Sequence, residues 1–221
     1  MATDTDEYAA DVTDETAAYL DEVRECIALL PAAVDSHGCE EFAGVRDRLC
    51  ARESAADDRL RRIRSLIGDL APPNYTDVYL RSGEVMRLYG LIDEVPNRAE
   101  RFVRDLDAVG PSLTPATGEE FAGMASLTVD ATLLLTDLTE QYVGDLVESG
   151  EGSALTADVD RLGSIESDCD SRKRAVVERA FGDRPTAEAL VRRDLARGLD
   201  GVADAAEDAG EHLLYMQATA L

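Results

Sequence analysis

Glu53-Ser54-Ala55-Ala56-Asp57-Asp58-Arg59 and Glu166-Ser167-Asp168-Cys169-Asp170-Ser171-Arg172 repeat one another, and the positions they share are mostly acidic. Further along the chain a second pair aligns. Asp93-Glu94-Val95-Pro96-Asn97-Arg98-Ala99-Glu100 matches Asp200-Gly201-Val202-Ala203-Asp204-Ala205-Ala206-Glu207. Each half thus carries E-x-x-x-D followed by D-x-x-x-(N/D)-x-x-E. Residues four apart share a helix face. Each half can therefore set two acidic ladders against one another, which is how oxygen-rich metal sites are built.

The acidity of the whole chain is the competing explanation. Among 221 residues there are 46 Asp and Glu against 22 Lys and Arg, a net charge of −24. Lys173 is the sole lysine. Acids spread over every segment point to a salt-in halophile, where molar salt shortens the Debye length to about 3 Å and screens their repulsion. In such a chain single E-x-x-x-D matches arise by chance. A charge this negative also argues against nucleic acid as a partner, since phosphate backbones need clustered Lys and Arg. The basic run Arg59 to Arg64 has Leu60 and Ile63 at helical spacing and reads as a solvated helix face paired with nearby acids.

The four cysteines (26, 39, 50 and 169) form no C-x-x-C, and neither histidine completes a zinc-finger spacing. Reduced core thiols in a cytoplasm are expected. The opening Met-Ala-Thr-Asp-Thr-Asp-Glu has no basic or apolar leader region. No apolar run approaches the ~18 residues of a membrane span.

Apolar periodicity is helical throughout. The spacing predicts helices ending near Pro31–Gly38, then over about Glu40–Gly68, Asp77–Ala108, Gly118–Val147 and Thr156–Phe181, with a last one opening at Pro185. Breaks are expected at Leu70–Thr76 around Pro72-Pro73-Asn74, at Gly110–Thr117 with Pro111 and Pro115, and at Ser149–Ser153. No stretch alternates as a strand does. The expected fold is all-α, with six long helices in two tandem three-helix repeats, residues 1–110 and 116–221, forming one elongated domain.

Three features lift the acidic set above chance. Arg48-Leu49 aligns with Arg161-Leu162 and Ile63 with Val176, so the acids recur on a shared scaffold. Glu53 occupies a place in the apolar stripe 42, 45, 49, 53, 56, 60, 63, where a buried carboxylate is costly without a compensating partner. Asp170 and Asp200 also lie at similar distances from the turn joining their helices, roughly 20 Å at 1.5 Å per residue. In the first half the corresponding heights of Asp57 and Asp93 differ by about one helical turn. Carboxylates without Cys or His suit Mg, Mn, Ca, Fe or Zn. His37 and His212 lack the Glu-x-x-His spacing of di-iron bundles and read as surface or packed residues. The alternative is an acid ladder paired with arginines such as Arg98 and Arg172.

At these residues the chain resembles the PhoU family of phosphate-uptake regulators, in particular the domain-of-unknown-function branch numbered forty-seven that accompanies Pit-type transporters. Glu53, Asp57, Glu166 and Asp170 match the family's helix-two motif. Asp93, Asn97 and Glu100, and Asp200, Asp204 and Glu207, match the D, N and E of its helix-three string, with Asp204 replacing Asn. The wording around those acids departs from the family, and Pro96 is expected to kink its helix. The resemblance implies surface metal clusters of Fe, Zn, Mn or Mg on these ten residues and a regulatory, non-catalytic role. Its implied setting is a phosphate transporter or its signalling partner, in the cytoplasm and peripheral to the membrane, with phosphate as a candidate ligand and a homodimer left open. A carboxylate-bridged phosphohydrolase and a metal-free helical scaffold are the alternatives. Because Asn97 offers a neutral oxygen where Asp204 offers a charge, the second repeat is expected to bind metal more tightly.

Overall fold

Pro31 sets the first departure from a plain helix. Its ring has no N–H and crowds the carbonyl four residues back, that of Ile27. Helix α1 (Ala2–Ile27) stops there, and the chain restarts as a short α2 (Leu30–Asp35) with Pro31 in its first turn. Gly38, at φ +81°, is the one residue of positive φ among those described. It turns the chain where a side chain would be strained. Five long helices follow: α3 (Glu41–Asp69), α4 (Thr76–Val109), α5 (Pro115–Ser149), α6 (Thr156–Asp183) and α7 (Thr186–Ala218). Between α6 and α7, Arg184 is extended at φ −127° and ψ 155° because it precedes Pro185.

The computed structural model describes residues 2–69, 76–109, 115–149 and 155–218. The breaks expected around Pro72-Pro73-Asn74, Pro111 and Gly150–Ser153 lie outside the described residues. Pro115, expected in a linker, is instead the first residue of α5. The remaining helix ends fall within two or three residues of the periodicity. The one added element is α2. α4 stays helical through Pro96, which is buried.

Side-chain pairs fix the direction of packing. Arg46 pairs with Asp107, Glu53 faces Glu100, and Asp57 faces Asp93, so α3 and α4 run antiparallel. In the second half Lys173 pairs with Asp200, Gly163 lies beside Glu207, and the Leu155 N–H donates to Gln217 at 3.3 Å. α6 and α7 are therefore antiparallel in the same register. α1 packs on α3, and α5 packs on α6 and α7, while α1 against α5 and α4 against α7 join the halves.

One continuous core draws on all seven helices. At 1.5–3 kcal/mol for each fully buried large side chain, this shared core holds the two repeats together. Phe102 of α4 stacks on Phe121 of α5, centroids 6.4 Å apart. Thr16 and Tyr89 share a buried hydroxyl hydrogen bond of 2.6 Å between α1 and α4. Arg24 of α1 donates to Thr136 (2.9 Å), Asp137 (3.0 Å) and Glu140 (2.9 Å) of α5.

α5 corrects one expectation. Its segment Thr117–Leu146 is long and apolar enough to cross a membrane, with a mean hydropathy of 1.3, and half of it is buried within the bundle. Its buried threonines are satisfied inside the helix: Thr128, Thr132, Thr136 and Thr139 each donate to the carbonyl four residues back. It reads as a central core helix.

Candidate metal centre

Glu53 reaches its half-buried place because α3 turns its apolar stripe toward α1 and α4. Leu49, Ala56 and Leu60 on either side are fully enclosed. Burial and then the facing Glu100 raise the pKa of Glu53, and burial and then Asp57 raise that of Asp93. Both effects disfavour the charged form. Compensation is peripheral: Arg61 pairs with Asp57 at 3.1 Å and Arg104 with Glu100 at 2.7 Å, and both arginines are largely exposed. Asn97 donates to the Asp93 carbonyl (2.7 Å) and carboxylate (3.2 Å). Among the described residues no arginine or lysine pairs with Glu53 or Asp93. The structure thus brings Glu53 to Glu100 and Asp57 to Asp93, with Asn97 bridging back to Asp93; the expected offset of one turn does not keep them apart.

The second repeat repeats the pairing. Glu166 lies near Asp204 and Glu207, and Asp170 near Asp200. Burial, followed by Asp200, pushes the Asp204 carboxyl up to about 6. Burial and then Glu166 raise Glu207. Between Asp170 and Asp200 the arrangement differs. The Lys173 ammonium contacts both carboxylates, reaching Asp200 Oδ2 at 2.5 Å, and Arg174 pairs with the outer face of Asp170. The Asp200 side chain is only 4% exposed, and its Oδ1 has no hydrogen-bond partner among the described residues. Burial lowers the pKa of Lys173, but the hydrogen bonds its ammonium donates to Asp170 and Asp200 outweigh that and leave it above its ordinary value. The Lys173 bond holds Asp170 below the usual carboxylate range.

The sequence pattern missed Lys173. The alignment that matches Glu53 with Glu166 sets it against Leu60, a core residue that is 1% exposed. Of the anticipated partners of the ladders, Arg98 donates to the Gly201 carbonyl at 2.6 Å and partly offsets the charge at Asp204 without an ion pair to it, and Arg172 pairs instead with Glu120 at 3.3 Å. The basic run behaves as read, with Arg59 and Arg62 on Glu15 and Arg61 on Asp57 and Asp58. His37 and His212 are not partners of the acid ladders: each donates from Nε2 to a carbonyl at 3.1 Å, of Leu106 and Glu84 respectively, and His212 Nε2 also lies 3.3 Å from the Glu84 carboxylate. All four cysteines are free thiols.

The grooves beside the two clusters differ as well. In the first repeat a groove of about 460 Å³ is lined by Arg46, Asp47, Cys50, Arg104 and Asp107. The matching positions in the second repeat, Val159, Asp160, Gly163, Glu211 and Leu214, line a groove of about 540 Å³ with no arginine among its lining residues.

Among the described residues no three His, Cys, Asp or Glu side chains converge as a ready-made metal cage. The donor chemistry of the first repeat nevertheless fits a hard cation: four carboxylates lie in two mutually repelling pairs across α3 and α4, and among the described residues Glu53 and Asp93 form no ion pair, exposed Arg64 acting on Asp93 only from a distance. The Asp170–Asp200 pair does not fit in the same way, because an ammonium already lies between the two carboxylates.

Comparison with solved structures settles the architecture. A protein of Shewanella oneidensis MR-1 described as a PhoU-like phosphate regulatory protein superposes with a TM-score of 0.77 at 20% identity, covering 94% of this chain and 99% of that one. A second PhoU-like protein from the same organism gives 0.77 at 21% identity, over 94% and 96% of the two chains. The fold is the PhoU-like helical bundle. No family model matches the sequence, and no curated protein does. The likeness is therefore one of fold, and within that bundle the acid pairs occupy the two hairpins α3–α4 and α6–α7.

The raised Asp204 carboxyl gives a pH prediction. An ordinary aspartate ionises near 3.9. As pH rises from about 4 to about 6, the unfolded chain releases this proton before the folded one, so stability falls across that window and the full penalty applies above it. A two-unit shift corresponds to roughly 2.7 kcal/mol, reduced by solvent screening at this partly exposed site to about 1 kcal/mol. In chelator-treated protein, Asp204→Asn should raise unfolding stability by about that amount at pH 7 and leave it unchanged below pH 4. Equal effects at both values in urea melts would show that the protein does not hold this proton.

Proposed function

We propose that this chain regulates inorganic phosphate transport as a cytoplasmic, metal-binding accessory protein. Its bound ion would be Fe, Zn, Mn or Mg, and it would dock on a Pit-type phosphate transporter or that transporter's signalling partner. One observation carries the reading: the same acid pair recurs at matching heights of two antiparallel hairpins in a PhoU-like bundle. Both of the solved proteins compared above are described as PhoU-like, one of them as a phosphate regulatory protein. In the first repeat Glu53, Asp57, Asp93 and Glu100 would supply charged oxygens and Asn97 a neutral one, closing on the ion by side-chain rotation. Phosphate would bind through the metal, with Arg46 and Arg104 lining the adjoining groove.

A regulatory role is favoured over a catalytic one. Burial pushes the Cys169 thiol up to about 12 and also raises Cys26 and Cys50, so the thiols beside the acids stay protonated and poorly nucleophilic. α5 is packed inside the bundle, so contact with the membrane would run through the transporter.

The test is uptake of labelled phosphate by cells with and without this chain, in which loss of the chain should make uptake insensitive to external phosphate. Uptake that keeps its full response to phosphate in the deletion strain would overturn the reading.

A further inference from the structure

The two repeats share their acids but not their cations. Asp57 lies near enough to Asp93 to repel it across α3 and α4, and the Lys173 ammonium ties Asp170 to Asp200 across α6 and α7. Four positions after Glu166 comes Asp170, and three further comes Lys173, on the same helix face as the acid it follows. In the first repeat the same step leads to Leu60, which turns into the core and carries no charge. The nearest base to Asp57 is Arg61, 64% exposed and attached to the outside of the pair. Lys173 is 23% exposed, and its ammonium lies between the two carboxylates, one of them almost wholly buried.

A buried carboxylate needs a partner charge. Asp200 has one built into the chain. Asp93 has no such ion pair among the described residues: Asp57 repels it, and exposed Arg64 eases that repulsion only from a distance.

We propose that Lys173 is the resident cation of the second repeat: its ammonium takes the place between Asp170 and Asp200 that the first repeat, between Asp57 and Asp93, leaves to an exchangeable metal ion. The inference rests on the metal-binding reading of the first repeat. It reverses the ranking expected from carboxylate count. The second repeat holds a fixed charge and acts as the rigid half, while the first responds to the supply of free metal. Arg46 and Arg104 line the groove beside the first cluster, where the matching groove beside the second has Val159 and Glu211, so of these two grooves it is the first that can recognise an anion.

Three measurements test this. In calorimetry with Mn²⁺ at high salt, the wild-type protein should bind about one ion per chain, lost in the Asp57→Asn/Asp93→Asn variant, while Lys173→Leu should bind about two. The ion gained should be lost again when Asp200→Asn is added. Lys173→Gln serves the same purpose should the leucine variant fold poorly. The wild-type chain alone gives the third readout. With one lysine, ¹⁵N-lysine labelling yields a single side-chain ammonium signal, which should persist unchanged at saturating Zn²⁺. Two Mn²⁺ per wild-type chain, one of them lost in Asp200→Asn, or collapse of the ammonium signal on adding Zn²⁺, would overturn the inference and leave the metal-binding reading standing. No Mn²⁺ bound by the wild type but one ion gained by Lys173→Leu would support the role of Lys173 and overturn the metal-binding reading of the first repeat. No binding by any variant would overturn both.

Discussion

Asp57→Asn combined with Asp93→Asn should weaken Mn²⁺ binding by at least about 100-fold, equivalent to about 2.7 kcal/mol, and should make the metal-free protein more stable. The opposite signs come from one cause. The two carboxylates face each other at a half-buried place, where burial and mutual repulsion raise the pKa of Asp93. Without an ion that repulsion is a penalty; with one it becomes the attraction that binds it. Amide replacements keep the shape and remove the charge. The gain in the metal-free state should be about 1 kcal/mol, since Asp57 is 39% exposed and solvent screens part of the repulsion. Thermal unfolding with and without Mn²⁺ checks both halves of the claim. A pair of variants that loses stability in chelator would show that these carboxylates serve as structural hydrogen-bond acceptors.

The largest effect on folding should come from Phe102→Ala, at about 3–5 kcal/mol. Phe102 is 1% exposed, stacks on Phe121 of the second repeat, and closes over Gly198 of α7, where an added Cβ would meet its ring at 3.7 Å. It thus sits where α4, α5 and α7 meet. The cavity would open the seam between the repeats and lower the melting temperature by about 10 °C for a chain of this size. Phe181→Ser is the control: its ring is 47% exposed near the α6–α7 turn, and its loss should change stability little. A melting temperature unmoved by Phe102→Ala would mean that the repeats do not share a cooperative core.

The helices were legible because apolar spacing and proline positions carry most of the local information. Long α3, α4, α6 and α7 follow directly from their stripes, and the position of Glu53 within one of them points to its half-buried place. The pairing of Asp57 with Asp93 was legible from the repeat, more securely than from counting rise along two helices of uncertain start. What was missed depends on tertiary geometry. Lys173 is the middle of the basic triplet Arg172-Lys173-Arg174, and counting carboxylates gives no sign that it alone turns inward; only its match to the buried Leu60 carries that signal. Arg24 joins α1 to α5 over more than a hundred residues of sequence, a link that periodicity does not encode. α2 arises from Pro31, whose ring both ends one helix and suits the first turn of the next, and apolar spacing alone signals only the ending. The apolar length of α5 was underestimated because its threonines interrupt the run of carbon side chains, yet each hides its hydroxyl in its own helix.

The most direct test of the metal site is an anomalous difference map from crystals soaked in Mn²⁺. The account predicts a peak between α3 and α4, within coordination distance of Asp57 and Asp93 oxygens, and no peak between Asp170 and Asp200, where the Lys173 ammonium stays in place. An empty first repeat, or a peak between Asp170 and Asp200 with Lys173 displaced, would contradict it.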